Sequence, residues 1–196
     1  MKRANASPPI HDLLAERWSP RAFDPNDSME GAAIDTLLEA ARWAPSASNT
    51  QPWRFLIGIR GDSTFAEIVK SLKPGNAKWA PNAAVLILAL AKHVKEDQSP
   101  LPHAAYDTGQ AVAHLTIQAQ ALGLSTHQMA GFDSKIADTL GVPEIYKPMT
   151  VIAIGRTGDA DQLLEEDLLA REKTPRQRRA RDQIAIQGRW SKSLED

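Results

Sequence analysis

The sequence predicts a three-layer α+β domain, and three observations carry that expectation. Residues 83–90 form a near-continuous apolar run, the mark of a strand buried on both faces. Helical spacings of apolar residues precede and follow it without a strict β-α-β rhythm. The length of 196 residues, with 42% hydrophobic and 24% charged content, suits one soluble domain with its own core.

The elements follow in order. Residues 9–16 read as a short helix with Ile10, Leu13 and Leu14 on one face. Asp24, Pro25, Asn26 and Asp27 are turn residues, and Asp27 or Ser28 is the expected N-cap of the next helix. That helix carries Ile34, Leu37, Leu38 and Ala41 at i, i+3, i+4 and i+7, and Pro45 ends it. Residues 53–59 read as a strand. Residues 63–72 read as a helix with Phe65, Ile68, Val69 and Leu72 inward. After the apolar strand, Asp107 or Thr108 is expected to cap a long helix through Leu122, stopped by Gly123. Residues 124–129 are a short strand, and Asp133 is expected to cap a helix ending at Gly141. Residues 149–154 are the last strand. The chain is expected to be one domain over residues 1–196. From about residue 158 to 196 it turns polar and then basic, with Arg171, Lys173, Arg176, Arg178, Arg179, Arg181, Arg189 and Lys192.

Composition excludes several functions. A net charge of -1 lacks the footprint of a nucleic-acid or anionic-membrane protein. With no cysteine there is no disulfide, thiolate metal site or cysteine nucleophile, which is compatible with a reducing cytoplasm, the expected location. Residues 1–8 lack the apolar core of a signal peptide, and the longest apolar stretch is too short to span a bilayer. The five histidines show no metal-ligand spacing, so no metal site is expected. There is no Gly-x-Ser-x-Gly elbow and no Gly-x-Gly-x-x-Gly fingerprint.

Four segments carry the chemistry that remains. Arg17, Ser19 and Arg21 alternate in an extended stretch and so point one way. Two guanidinium forks and a hydroxyl suit a phosphate group. A surface pair of arginines is the other reading, and Trp18 is either a wall of the same site or packing. In residues 44–53, the amides of Asn49 and Gln51 suit the alternating donors and acceptors of a flavin's uracil-like edge. The small residues Ala44, Ser46, Ala47 and Ser48 beside Pro45 leave room for a planar ring. A polar turn between helix and strand fits equally. Gln128, Met129, Ala130 and Gly131 lead from a strand into a helix and present backbone N–H groups, or form a plain turn. The run Arg176, Arg178, Arg179 and Arg181 is a solvated face, unless one or two of its members return to the ligand of Arg17.

In this order and spacing the four segments resemble the nitroreductase family of FMN-dependent oxidoreductases, over residues 10–190. The resemblance rests on Arg17-x-Ser19-x-Arg21-x-Phe23, on Pro45-Ser46-x-x-Asn49-x-Gln51-Pro52-Trp53, on Gln128-Met129-Ala130-Gly131-Phe132, and on Arg178-Arg179-Ala180-Arg181 followed by Gly188-Arg189-Trp190. It implies a three-layer α/β/α fold with a mostly antiparallel central sheet and FMN as cofactor. Arg17 with Arg178, Arg179 or both would hold the phosphate, and Ser19 the phosphate or ribityl chain. Arg21 would act electrostatically near N1 and the C2 carbonyl. Trp18, Pro45, Ser46, Ala47, Asn49 and Gln51 would contact the ring or ribityl chain. The backbone of Gln128, Met129, Ala130 and Gly131 would run near N5.

The resemblance further implies a homodimer with flavin at the interface, residues 45–51 reaching the partner's site. NADH or NADPH would be the hydride donor, and a nitroaromatic, quinone or similar conjugated molecule the acceptor. Two other readings are a family member with different flavin chemistry (dehydrogenation, dehalogenation or flavin fragmentation) and a flavin-binding protein without turnover. Ala180 departs from the family pattern, which commonly has proline there.

Overall fold

The computed structural model describes residues 2–190; Lys192 of the basic run lies outside them. Among the described residues the strands are β1 (Trp53–Ile59), β2 (Val85–Lys92), β3 (Ser125–Met129) and β4 (Tyr146–Gly155). They form one sheet in the order β1-β2-β4-β3, with every neighbouring pair antiparallel. Strand β2 is inside the sheet and buried along almost its whole length, as its apolar run requires. Its side chains alternate between the two faces. Val85, Ile87 and Ala89 join Leu37 and Ala41 of α2 (Gly31–Arg42) and Val112, Leu115 and Ala119 of α5 (Ala104–Ala121). Leu86, Leu88 and Leu90 face Phe65 and Ile68 of α3 (Ser63–Ser71), together with Trp79, Met129 and Val151. The three layers are therefore helices, sheet and helices.

The remaining helices are short: α1 (Asp12–Glu16), α4 (Pro74–Ala77), α6 (Ile136–Thr139) and α7 (Glu166–Lys173). No described helix is long and apolar enough to cross a membrane. In α1, Ala15 is buried and Leu13 half-buried, while Leu14 and, just before the helix, Ile10 are exposed, so only part of the expected apolar face packs within this chain. The C-terminal part is more than a solvated extension. Leu163 and Leu168 enter the core on the α3 face of the sheet.

Three expected caps are corrected. Asp27 does not cap α2. Its carboxylate accepts from the Arg156 N–H at 2.7 Å and pairs with the Arg156 guanidinium, and Glu30 holds the N-cap position without a side-chain bond. Asp107 does not cap α5, which begins three residues earlier. It is buried inside the first turn and accepts from the N–H of Ala47 at 3.0 Å. Asp133 closes a local turn onto the Lys135 N–H at 3.0 Å, and α6 starts only at Ile136. In each case an acidic side chain found a longer-range or tighter partner than the helix end. The cap of α3 is Asp62, which accepts from Phe65 N–H.

One close approach positions the segment that carries Arg17, Ser19 and Arg21. Ala22 and Asp24 exchange backbone hydrogen bonds with Gly158 and Arg156 at 2.9 and 3.0 Å. A Cβ on Gly158 would lie 2.8 Å from the carbonyl carbon of Phe23, so only glycine permits this contact. The segment is thereby stapled to the chain leaving β4.

Candidate active site

A cleft of about 330 Å³ opens where this segment meets the end of α7 and the basic run. Six cationic side chains line it: Lys2, Arg17, Arg21, Arg171, Arg176 and Arg178, with Trp18, Ser19 and Thr174 between them. No Asp or Glu is among the lining residues. Burial, reinforced by the charges of Arg176 and Arg178, holds the Arg17 guanidinium below its ordinary pKa. Arg176 is lowered in the same way, by burial and by Arg178. Both remain cations, since arginine does not deprotonate in proteins. Three mutually repelling guanidinium groups without a facing carboxylate make an anion site.

The cations are held in different ways. Arg17 Nη1 donates to Ser19 Oγ at 3.4 Å. Arg176 donates to the carbonyls of Lys2 and Ala15 at 3.1 and 2.6 Å, so its place is fixed by the fold. Lys2 Nζ donates to the Arg171 carbonyl at 3.1 Å and lies 4.6 Å from the Trp18 ring centroid. Arg21 is lowered mainly by burial. Its guanidinium stands 4.0 Å from the carboxylate of Glu172, which is only 3% exposed. Arg17 and Arg178, expected from sequence to converge, line the same cleft; Arg179 is not among its lining residues.

The other two candidate segments do not line this cleft. Pro45, Ala47, Asn49 and Gln51 are exposed and Ser46 is half-buried. Ser48, Asn49 and Gln51 adopt left-handed φ values of 50°, 55° and 46°. Such conformations cost roughly 1–3 kcal/mol each and gather at functional sites. The loop is pinned by Ser46 Oγ, which accepts from Gln51 N–H at 3.1 Å, and by the bond from Ala47 N–H to buried Asp107. Gln51 Nε2 also donates to Asn49 Oδ1 at 3.0 Å. Of the third segment, Met129 has its side chain in the core, while Gln128 donates to Thr116 Oγ1 at 3.1 Å and Ala130 is exposed. The Gly131 carbonyl accepts from Lys73 N–H at 2.9 Å and Asn76 Nδ2 at 3.0 Å.

A family model described as the Nitroreductase family matches residues 14–72 and 59–156. The chain belongs to the nitroreductase family. Among related sequences, a protein of Mycolicibacterium smegmatis described as an uncharacterized 15.4 kDa protein in the ask 5' region is 40% identical over 152 residues. The match covers 72% of this chain and 99% of that protein. Protein DrgA of Synechocystis is 30% identical over 181 residues, covering 76% of this chain and 85% of DrgA. A crystal structure of an oxidoreductase containing FMN is 35% identical and superimposes with a TM-score of 0.90, over 97% of this chain and 99% of that one. The antiparallel three-layer architecture expected from sequence is the nitroreductase fold.

Sequence reasoning missed several residues that line this nitroreductase's cleft or stand behind it. Arg171 and Arg176 were visible only as part of the basic run, and nothing local marks Lys2. His127 was visible only as a histidine on a strand. It packs against the buried Trp79 ring, centroids 4.5 Å apart, and its Nδ1 bonds the Pro20 carbonyl at 2.8 Å. Glu172 was hidden at the start of the basic run, where an acid flanked by Arg171 and Lys173 was the available signal.

Burial pushes His127 down to about 4 from an ordinary value of 6.5; the Arg21 charge works in the same direction and the bond to Pro20 against it. The folded state therefore favours the neutral ring. That contribution to stability is complete above the unfolded-state pKa and is lost as pH falls through the folded-state value. Stability is expected to rise from pH 4 to 6.5, with a slope of at most about 1.4 kcal/mol per pH unit from this residue. Urea unfolding across that window checks it. His127→Asn flattens the slope, and an equal slope in that variant contradicts the assignment.

Proposed function

We propose that this chain is an FMN-dependent NAD(P)H oxidoreductase, passing hydride from NADH or NADPH to a nitroaromatic, quinone or similar conjugated acceptor. The observation that carries the reading is the carboxylate-free convergence of Arg17, Arg176 and Arg178 beside Ser19, a donor set that fits a dianionic phosphate monoester. Its likeness to the solved oxidoreductase containing FMN supports the same cofactor. FMN would supply the two-electron chemistry, at its N5 position.

The chain's own residues bind and polarise. Arg17 and Arg178 grip the phosphate, with Ser19 as a further donor. Arg21 lends positive charge to the N1 and C2 side of the ring, where negative charge develops during turnover. Trp18 closes one wall of the cleft. No protein side chain is assigned as a general acid.

The reading includes a homodimer in which residues 45–51 complete the partner's site. Its support is the exposed, left-handed loop at Ser48, Asn49 and Gln51, which does not line its own chain's cleft. Ala105, Gly109 and Ala113 also lie exposed at four-residue spacing along α5. A Cβ on Gly109 meets nothing within 4 Å in the single chain. Gly109→Phe is expected to halve the mass seen by light scattering and to lower flavin content while leaving the protomer folded. An unchanged mass with full flavin content places the interface elsewhere.

The test of function is the absorbance spectrum of purified protein before and after anaerobic NADH or NADPH, followed by addition of a nitroaromatic. A flavin spectrum that bleaches and then recovers supports the reading. A flavin spectrum that neither nucleotide bleaches indicates binding without turnover, and a colourless protein that takes up no added FMN overturns it.

A further inference from the structure

Pro20 and Arg21 share one peptide plane, and side chains from two distant elements hold both of its polar ends. Its carbonyl accepts from His127 Nδ1 of β3 at 2.8 Å. Its N–H, that of Arg21, donates to the two carboxylate oxygens of Glu172 at 3.1 and 3.0 Å. The next N–H, that of Ala22, donates to Glu172 Oε1 at 3.2 Å. A carbonyl only accepts, so His127 carries its proton on Nδ1.

We propose that His127 and Glu172 are positioning residues, locking the Pro20–Arg21 peptide plane and thereby the direction in which the Arg21 side chain enters the cleft. The inference rests on the FMN reading above.

Both partners are built for the task. The imidazole is wedged against Trp79, itself stacked with Phe23, so the ring cannot turn away from Pro20. Glu172 sits in the last turn of α7, where a buried carboxylate is costly unless its oxygens are bonded. Its partners are two backbone N–H groups and, at 4.0 Å, the Arg21 guanidinium. Lys2 is a second cation within its electrostatic reach. Glu172 thus acts on Arg21 at the backbone and at the guanidinium. The orientation of a peptide plane sets ψ of the residue before it and φ of the residue after it, here the φ that turns the Arg21 Cα–Cβ bond relative to the plane. Freeing the plane at residue 20 would swing Arg21 while leaving Arg17 gripping the phosphate.

The test is the midpoint potential of FMN bound to the full chain, because a cation beside the ring favours the reduced flavin. Arg21→Ala sets the scale. His127→Leu removes the donor to Pro20 without changing the charge of the neutral ring, and His127→Asn restores a side-chain N–H. Glu172→Ala and Glu172→Gln remove the same charge, but only glutamine keeps an acceptor. Leu relative to Asn at 127, and Ala relative to Gln at 172, are each expected to reduce the preference for reduced over oxidised FMN about tenfold. That is a fall of about 30 mV for a two-electron couple. Both differences should vanish in the Arg21→Ala background, which loss of stability alone would not bring about. The two pairs are independent, so a variant that fails to fold leaves the other pair to decide. Wild-type protein that takes up no FMN overturns the FMN reading, whereas an Arg21→Ala potential equal to wild type overturns the placement of Arg21 beside the ring and the positioning role with it. Equal potentials within both pairs, or differences that persist without Arg21, overturn the positioning role itself.

Discussion

Arg17→Ala is expected to raise the FMN dissociation constant about 100-fold. A hydrogen bond between charged groups contributes roughly 1.5–3 kcal/mol. Losing two such bonds from a phosphate grip costs about 3 kcal/mol, which is the stated factor. Arg176 is held in place through Nη1 by the carbonyls of Lys2 and Ala15, so it does not shift into the space that Arg17 leaves. Removing Arg17 also relieves its repulsion with Arg176 and Arg178, so the apoprotein should melt no lower than wild type. Arg21→Ala should do the reverse, slowing reduction by NAD(P)H more than it weakens FMN binding. Its guanidinium is tethered beside Glu172, apart from the group formed by Arg17, Arg176 and Arg178. Flavin fluorescence titration with stopped-flow reduction separates the two variants. Small and equal effects from both would remove both roles.

Much of this fold was written locally. The apolar run of β2 announced a strand covered on both sides, and the spacing Val112, Leu115, Ala119 announced a long helix with one buried stripe. The order of short motifs announced the family, and Arg17, Ser19, Arg21 and Arg178 do share a cleft. What stayed hidden was set by contacts between distant parts of the chain. Asp27 and Asp107 look like helix caps in sequence because nothing local shows that Arg156 and Ala47 will reach them. Strand β4 begins earlier than its apolar run, at Tyr146, because pairing with β2 carries it through Pro148 with a register shift. Glu172 reads as one acid in a polar tail until α7 turns it inward onto Arg21 and Ala22. The loop at residues 45–51 was legible as a motif, but its left-handed backbone was not, since Ser48, Asn49 and Gln51 are not glycines.

Gly58→Ala is expected to be the most destabilising single-methyl change in the chain, about 3 kcal/mol or more. Gly58 lies in β1 under the first turn of α3, and a Cβ there would sit 2.5 Å from both Cα and N of Phe65. Carbon contacts are ordinarily near 3.5–4.0 Å. The obstructing atoms are backbone, so no rotamer change removes the clash. Helix α3 would have to move as a unit, drawing Phe65 and Ile68 out of the core. Gly31→Ala is the matched control, because a Cβ at the start of α2 meets nothing within 4 Å. Urea unfolding should put the Gly58→Ala midpoint far below that control, and coincident midpoints would contradict the close-packing argument. The damage should reach the candidate cofactor segment as well. The Ser71 carbonyl at the end of α3 accepts from Asp133 N–H at 2.7 Å, and Leu72 bridges to Phe132. A displaced α3 therefore pulls on the chain just beyond Gly131, and flavin retention should fall even in the fraction that remains folded.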